Sequence, residues 1–251
     1  MIGVNYSGQS CALNGCAKDA LALATFLKSK GFKVDSLIDS EEKSEKTAQL
    51  PTRANILRHL LDLILSDADE LFFSFAGHGS RKLDRDGEED DGRDEVLCPM
   101  DHKDGVIRDD ALRGILQCMR PRQRLSCIFD CCHSGSGMDL KYELFDRGGS
   151  AFRFFPAEER NVPMTPGECF LLSGCRDDQT SAEAAVPAAG GKWDVRGALT
   201  VAAVKVMKEK GVNLPCAVLL REVRLILQKG GYAQIAQLSA GRKCSASAVF
   251  M

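Results

Sequence analysis

Apolar residues recur along the chain in short runs that are bounded by polar turns. Six runs have the length and composition of β-strands, at residues 2–6, 34–38, 71–76, 125–129, 169–173 and 246–250. Helical spacing of apolar positions separates them, at 14–30, 53–66, 110–119, 197–210 and 214–229. Glycines 31, 211 and 230 follow three of these helices, as C-caps would. The alternation predicts an α/β fold with a mostly parallel sheet covered by helices on both faces.

Two segments interrupt this alternation. Residues 80–104 are dominated by acidic side chains, and residues 136–167 are rich in Gly, Pro and Arg without clear periodicity. We predict a long loop for each. Loops of such length in a compact domain are usually functional, and the second would be an exposed target for proteolysis.

Length and composition limit the classes of protein that this chain can be. Its 251 residues, 44% of them hydrophobic, are enough for one large core, so we expect a single domain over 1–251. The net charge of -2 provides no positive field for nucleic acid or anionic membrane. There is no apolar stretch of the roughly 18 residues that a membrane span needs, and no export signal. Eleven cysteines, an odd number and partly within apolar runs, then predict reduced thiols in the cytoplasm.

A histidine and a cysteine follow two of the predicted strands. His78 comes just after the strand at 71–76, and Cys132 just after the strand at 125–129. Because the carboxyl ends of parallel strands share one edge of a sheet, an imidazole could activate the thiol there. Glycines at 77, 79 and 135 would let backbone N–H groups face a developing oxyanion. Taken separately, the two residues would be a buried cysteine and a histidine in a turn.

The chain resembles the metacaspase branch of the caspase-like cysteine peptidases. The resemblance rests on an ordered set of segments at 3–6, 13–20, 51–56, 76–79, 94–97, 130–135 and 173–181. It implies a caspase-like three-layer α/β/α sandwich with a mostly parallel central sheet. Residues 1–140 would be the large-subunit-like region, 141–167 the intermediate loop and 168–251 the small-subunit-like region.

The same resemblance implies the catalytic roles. Cys132 would be the nucleophile and His78 the general base and acid. The backbone N–H groups of Gly79 and Cys132 would form the oxyanion hole. His133 would be a neighbour of the nucleophile, and Cys131 occupies a position that is often Ser.

Acidic residues carry the expected specificity. Asp19 and Asp130 match family residues that line the pocket for the side chain before the cut, where two carboxylates would bind Arg or Lys. Without the resemblance, Asp19 would be a first-turn helix charge and Asp130 a turn cap. Cys16 matches a family cysteine near the active site, although ordinary packing explains it equally well. Ala76 departs from the family Ser at this pocket, and Glu183 stands where Asp is common.

Four further aspartates match calcium ligands of this family: Asp94, Asp109, Asp110 and Asp139. Residues 84–95 resemble an EF-hand loop but have Glu in place of the required sixth-position Gly, so a dispersed Ca²⁺ site fits better. Asp109 and Asp110 alone would be helix caps. A bound ion would order the loop beside Cys132.

The predicted function is a calcium-activated cysteine endopeptidase that cuts proteins and peptides after Arg or Lys. It would act as a monomer by analogy with the family and could process itself within the intermediate loop, with four candidate sites: Lys141, Arg147, Arg153 and Arg160. There are three alternatives: a catalytically silent caspase-like scaffold, a calcium- or redox-responsive regulator that uses Cys131 and Cys132, and a gingipain-like peptidase of the same clan. The first predicted strand begins directly after Met1 and no prodomain is visible in the sequence, so we expect either that upstream residues are absent or that this is a shortened form.

Overall fold

The computed structural model describes residues 1–39, 49–83, 93–132, 137–145, 152–157, 162–174, 182–187 and 193–251. Within these ranges the helices are α1 (Cys16–Lys28), α2 (Arg53–Leu65), α3 (Asp109–Leu116), α4 (Ala198–Lys210) and α5 (Cys216–Lys229). The strands are β1 (Ile2–Gly3), β2 (Leu37–Ile38), β3 (Glu70–Ala76), β4 (Gly79–Leu83), β5 (Arg93–Leu97), β6 (Ile107–Arg108), β7 (Arg124–Asp130), β8 (Tyr142–Phe145), β9 (Arg153–Pro156), β10 (Glu168–Ser173), β11 (Glu183–Pro187), β12 (Trp193–Gly197) and β13 (Gln237–Ala240). All five predicted helices are therefore confirmed.

Eight of these strands form the main sheet, in the order β2-β1-β3-β7-β10-β13-β8-β9. The first five are parallel to one another, and the last three pairings are antiparallel. Helices α1, α2 and α3 lie in the connections from β1 to β2, from β2 to β3 and from β3 to β7, as parallel pairing usually requires, whereas β8 and β9 follow one another closely in sequence. The predicted α/β fold with a mostly parallel sheet is confirmed.

Helices cover both faces of the sheet and form two separate cores. On β3, β7 and β10 successive side chains point to opposite faces, so that Phe72, Ile128 and Phe170 contact one core. Their neighbours Phe73, Cys127 and Leu171 contact the other. The first core is completed by α1, α4 and α5, and the second by α2 and α3. The arrangement is a three-layer α/β/α sandwich.

The predicted acidic loop at 80–104 contains regular structure at both ends, which corrects that prediction. β4 pairs with β5, and β5 with β6, in a separate antiparallel sheet. Charged residues are accommodated because they are paired across the strands. Arg81 Nε lies 3.2 Å from Glu95 Oε1, and the Glu95 side chain is almost fully buried.

The second predicted loop, 136–167, also contains strands. β8 and β9 pair with each other, and β8 extends the main sheet beyond β13. Each has only four residues, which is too short for a sequence periodicity to be recognised.

The sixth predicted strand, at 246–250, is wrong. Val249 makes one isolated bridge to Pro215, and Phe250 is apolar because its ring packs against Phe170, with 6.3 Å between centroids. The sixth central strand is β13 instead. Gly211 and Gly230 are the C-caps of α4 and α5, as predicted, whereas the C-cap of α1 is Ser29 and Gly31 lies two residues beyond it with a left-handed φ of +89°.

Candidate active site

The register of the two central strands brings the histidine and cysteine segments together. β3 and β7 are parallel neighbours in which Ala76 pairs with Asp130. His78 and Cys132 are each two residues beyond this pair. Both residues therefore follow neighbouring strands at one edge of the sheet, as the sequence predicts.

His78 is held by a buried tyrosine. Its backbone N–H donates to Tyr6 Oη at 2.8 Å, and the Tyr6 hydroxyl donates to the Cys98 carbonyl at 2.6 Å. The two rings lie 4.8 Å apart between centroids. Tyr6 is completely buried and has a left-handed φ of +52°, so the backbone of the first loop turns where the phenol enters the site. Sequence reasoning had given Tyr6 no role at the site.

The imidazole is oriented by a main-chain carbonyl. His78 Nε2 lies 2.8 Å from the carbonyl oxygen of Cys11. Because a carbonyl oxygen only accepts, Nε2 must carry the proton, and in neutral imidazole Nδ1 is then the basic nitrogen. This contact leaves no signal in sequence, since any residue at position 11 would offer the same carbonyl.

Gly79 lies directly against the nucleophile candidate. A β-carbon built on Gly79 would overlap the carbonyl oxygen of Cys132, and Cys131 Sγ would lie 3.3 Å from it. Cys131 is buried, whereas Cys132 is partly exposed at the sheet edge. Only glycine permits this approach of the two backbones. His133 and Gly135 lie outside the described residues.

The two aspartates of the predicted specificity pocket are neighbours. Asp130 Oδ2 accepts hydrogen bonds from the backbone N–H and hydroxyl of Thr200, at 2.8 and 2.9 Å. Asp19 Oδ2 accepts from the Gly197 N–H at 2.7 Å. Burial, followed by the charge of Asp130, raises the pKa of Asp19 to about 7, against the lowering effect of Arg196. Thr200 and Gly197 were not foreseen from the sequence.

An arginine of the chain itself contacts this pair. Arg196 Nε donates to Asp19 Oδ1 at 2.7 Å, across 177 positions of sequence. Lys18, next to Asp19, forms an ion pair with Asp194 on the same strand β12. Helix α1 and β12 are thus joined by two consecutive charged contacts.

The other two pocket residues make simpler contacts. Cys16 is buried at the first position of α1, immediately after the loop that carries Cys11. Ala76 is buried at the end of β3 and its carbonyl accepts from the Val4 N–H at 2.9 Å. Its methyl group offers no hydroxyl to a substrate at the position where the resemblance led us to expect one.

Three of the four predicted metal ligands converge. Carboxylate oxygens of Asp94, Asp109 and Asp110 lie within 4.8 Å of one another. Asp109 Oδ2 accepts from the Glu95 N–H at 2.9 Å. Burial, then the charges of Asp139 and Glu95, raise the pKa of Asp109 to about 8. The Glu95 carboxylate itself is paired with Arg81 and is not one of the three that converge.

Asp139 is the fourth predicted ligand. Among the described residues its carboxylate is not one of the three that lie within 4.8 Å of one another, but it is near enough for its charge to act on Asp109. Asp139 is buried and has a left-handed φ of +46°. Arginines partly balance these acids, with Arg108 paired to Asp94 and Arg113 Nη2 at 2.9 Å from Asp110 Oδ1. Several hard oxygen donors from separate segments fit a divalent cation of the calcium type.

Comparisons with known proteins decide the family. Residues 1–141 match the family described as "Metacaspase, peptidase C14 domain". Metacaspase-2 of Trypanosoma brucei brucei is 35% identical over 251 residues, covering 96% of this chain and 72% of that protein. The chain belongs to the metacaspase family. It is therefore a cysteine peptidase whose substrates are proteins.

Solved structures show the same fold for this metacaspase. Protein GSU0716 from Geobacter sulfurreducens aligns with a TM-score of 0.64 at 22% identity, covering 99% of this chain and 97% of that one. Caspase-1 from Spodoptera frugiperda aligns with a TM-score of 0.56 at 15% identity, covering 99% and 88%. The predicted caspase-like sandwich is confirmed.

Among the described residues, no helix has the length and hydropathy that crossing a membrane requires.

Proposed function

We propose that this metacaspase is a calcium-activated endopeptidase that cuts after Arg or Lys with a Cys132–His78 dyad. The observation that carries the proposal is the register of β3 and β7, in which the paired Ala76 and Asp130 lead to His78 and Cys132 after equal intervals. The nucleophile, the base and one pocket carboxylate then belong to one sheet edge.

The dyad chemistry follows from the tautomer of His78. The Cys11 carbonyl holds the Nε2 proton, so Nδ1 removes the thiol proton of Cys132. The thiolate attacks the substrate carbonyl, and the imidazolium then protonates the leaving amine. Water, deprotonated by the same nitrogen, hydrolyses the acyl-enzyme.

Two backbone N–H groups, one after each of the strands β3 and β7, supply the oxyanion hole. The N–H groups of Gly79 and Cys132 stabilise the tetrahedral oxyanion. The close approach of Gly79 to the Cys132 carbonyl supports this role, because both N–H groups then belong to segments in contact.

The acidic pair supplies the basic specificity. Asp19 and Asp130 are buried to 1% and 7% exposure, and each accepts hydrogen bonds that keep its carboxylate fixed. A guanidinium or ammonium group would compensate both charges, which favours Arg or Lys over neutral side chains.

Calcium would be held by Asp94, Asp109, Asp110 and Asp139. Asp94, Asp109 and Asp139 are buried, and a bound Ca²⁺ would supply positive charge that lets them ionise together with the partly exposed Asp110. Asp139 lies seven residues beyond Cys132, so fixing its carboxylate restricts the chain that leaves the nucleophile. The residues of the protein perform every chemical step, and the ion would only hold the chain near the nucleophile in place.

A monomer is supported by the edge of the main sheet. The edge of β13 that faces away from β10 is already paired with β8. A second copy therefore cannot add a strand there without displacing β8. Sedimentation analysis should give a particle of one chain with and without calcium.

The proposal is tested with fluorogenic peptides that end in Arg, Lys or Asp, each with millimolar calcium and with chelator. We expect turnover of the Arg and Lys peptides and none of the Asp peptide, and only with calcium. Cys132→Ala should abolish it, while the matched control Cys131→Ala should retain it. Absence of turnover by freshly reduced protein, or cleavage after Asp, would contradict the proposal.

A further inference from the structure

The acidic pocket already contains a cation of the chain. Arg196 lies at the end of β12, with its side chain 17% exposed, and contacts Asp19, whose side chain is 2% exposed. The donor is Nε of the guanidinium at 2.7 Å from Oδ1, and the other carboxylate oxygen accepts from the next residue, Gly197. Both oxygens of Asp19 are therefore engaged before any substrate arrives.

The backbone of β12 also defines the floor of this pocket. A β-carbon on Gly197 would overlap the carboxylate of Asp130 and lie 3.0 Å from Asp19 Oδ2. The strand end thus lies directly on the two acids, with no room for a side chain there. The preceding residue, Arg196, is the one whose side chain contacts Asp19.

The strand that carries Arg196 is not part of the main sheet. β12 pairs only with β11 in a two-stranded sheet of the described residues. Its further link to α1 is the ion pair of Asp194 with Lys18, whose side chains are 24% and 31% exposed. An ion pair so accessible to solvent contributes little to stability.

Charge balance gives this contact a consequence for binding. Two carboxylates and one guanidinium leave the pocket with one uncompensated negative charge if both acids are ionised. A basic substrate side chain must then share Asp19 with Arg196 or displace it. Like charges brought together in a buried site repel, which weakens binding of the second cation.

We propose that Arg196 is a resident cation of the acidic pocket that competes with basic substrate side chains and thereby sets the affinity for them. This inference rests on the proposed Arg/Lys specificity. Arg196 is a specificity-determining residue and takes no part in the reaction at Cys132. Removing its charge strengthens binding of a basic group and leaves binding of a neutral group unchanged.

Arg196→Gln tests this, because Gln removes the charge and keeps a polar side chain. Arg196→Lys retains the charge, and Asp194→Asn loosens β12 without touching the pocket. Each variant is assayed at pH 8.5 with millimolar calcium on an Arg peptide and a Gln peptide. Binding of benzamidine, an arginine-like cation, is measured separately by calorimetry.

For Arg196→Gln we expect KM for the Arg peptide and the benzamidine Kd to fall about tenfold, the size of one charge-assisted hydrogen bond. The KM for the Gln peptide and kcat should not change. Arg196→Lys and Asp194→Asn should both resemble wild type in the ratio of the two KM values.

Two results would overturn the inference. If wild type cleaves Arg peptides and Arg196→Gln leaves KM unchanged or raises it, Arg196 supports the pocket and does not compete, and the proposed function stands. If no variant cleaves any peptide, the proposed function fails, and benzamidine binding then tests the role of Arg196 alone. Tighter binding to Arg196→Gln than to wild type supports a competing cation, and equal binding or no binding rejects it.

Discussion

Gly79 and Cys132 touch through their backbones, with the α-carbon of one facing the carbonyl oxygen of the other. Gly79→Ala should therefore push the two strand ends apart and displace an N–H of the oxyanion hole. We expect kcat/KM to fall by about 100-fold or more.

The matched control is Gly114→Ala, in the exposed face of α3, where no atom lies within 4 Å of the new β-carbon. Alanine favours a helix interior, so this variant should keep full activity and gain about 0.5–1 kcal/mol of unfolding free energy. Equal loss of activity in both variants would show that the contact with Cys132 is unimportant.

Tyr6→Phe should separate the positioning of His78 from its chemistry. The substitution leaves the His78 N–H and the Cys98 carbonyl without the hydroxyl that joins them. The free energy of unfolding should fall by about 1–3 kcal/mol, and kcat should fall because the imidazole loses its support. Urea unfolding and peptide kinetics measure the two effects.

Tyr142→Phe is the control for that experiment, since its hydroxyl makes only a 3.8 Å contact with Met164 Sδ. Its unfolding free energy should stay within about 0.5 kcal/mol of wild type. A Tyr6→Phe protein with unchanged stability and kcat would contradict the assigned role of the hydroxyl.

The pKa of Asp19 predicts how substrate binding depends on pH. The pKa of this carboxyl is raised from 3.8 to about 7, so the group is largely protonated at pH 6 and ionised at pH 8. KM for an Arg peptide should fall as the pH rises through about 7. Asp19→Asn should have a higher KM that no longer changes in this way.

The same shift has an opposite effect on stability. Between pH 4 and 7 the folded protein retains a proton on Asp19 that the unfolded chain releases, so stability falls as the pH rises across this window. Unfolding of wild type and Asp19→Asn at pH 5 and 7 measures the difference. An equal pH slope in both proteins would contradict the assignment.

Calcium dependence should fail when a carboxylate of the acidic cluster is removed. Asp139→Asn keeps the size of the side chain and removes one negative charge from the group around Asp109. We expect the calcium concentration for half-maximal activity to rise at least about tenfold, and the calcium-induced rise in Tm to shrink.

Asp104→Asn is the control, because Asp104 is exposed in a turn and lies outside the cluster. It should respond to calcium like wild type. A calcium response that Asp139→Asn leaves intact would place the ion elsewhere.

Self-cleavage should avoid the candidates that lie within β-structure. Arg153 belongs to β9, and the Lys141 carbonyl accepts from the Ala157 N–H at 2.9 Å. A peptide bond must leave such pairings to enter an active site. Arg147 and Arg160 lie outside the described residues and are the remaining candidates.

Intact-mass analysis of calcium-treated protein decides between them. Lys141→Ala and Arg153→Ala should leave the fragments unchanged, and the double substitution of Arg147 and Arg160 by Ala should prevent the cut. Fragments that end at Lys141 or Arg153 would contradict this prediction.

The sequence predicted those parts of the site that depend on neighbouring strands. The runs 71–76 and 125–129 were recognisable because they are apolar on both faces, and the positions of His78 and Cys132 follow from parallel pairing alone. Asp109 and Asp110 were recognisable by family resemblance, and their convergence with Asp94 required only the short distance between β5 and α3.

Contacts between distant segments could not be predicted. Arg196 meets Asp19 across most of the chain, and the Cys11 carbonyl acts through the main chain, whose chemistry does not vary with sequence. β13 was missed because Gln237–Ala240 is short and its side chains are small or polar. Residues 246–250 were predicted as a strand instead, because the buried Phe250 gives this segment the apolar pattern of a strand.

The position of β8 beyond β13 determines what a cut in the intermediate loop would produce. The segment before the cut provides both β7 and β8, and these flank the β10–β13 pair of the segment after it. The two fragments would be interlocked through a shared hydrogen-bonded ladder. The nicked protein would therefore remain a single particle, separable only by denaturation.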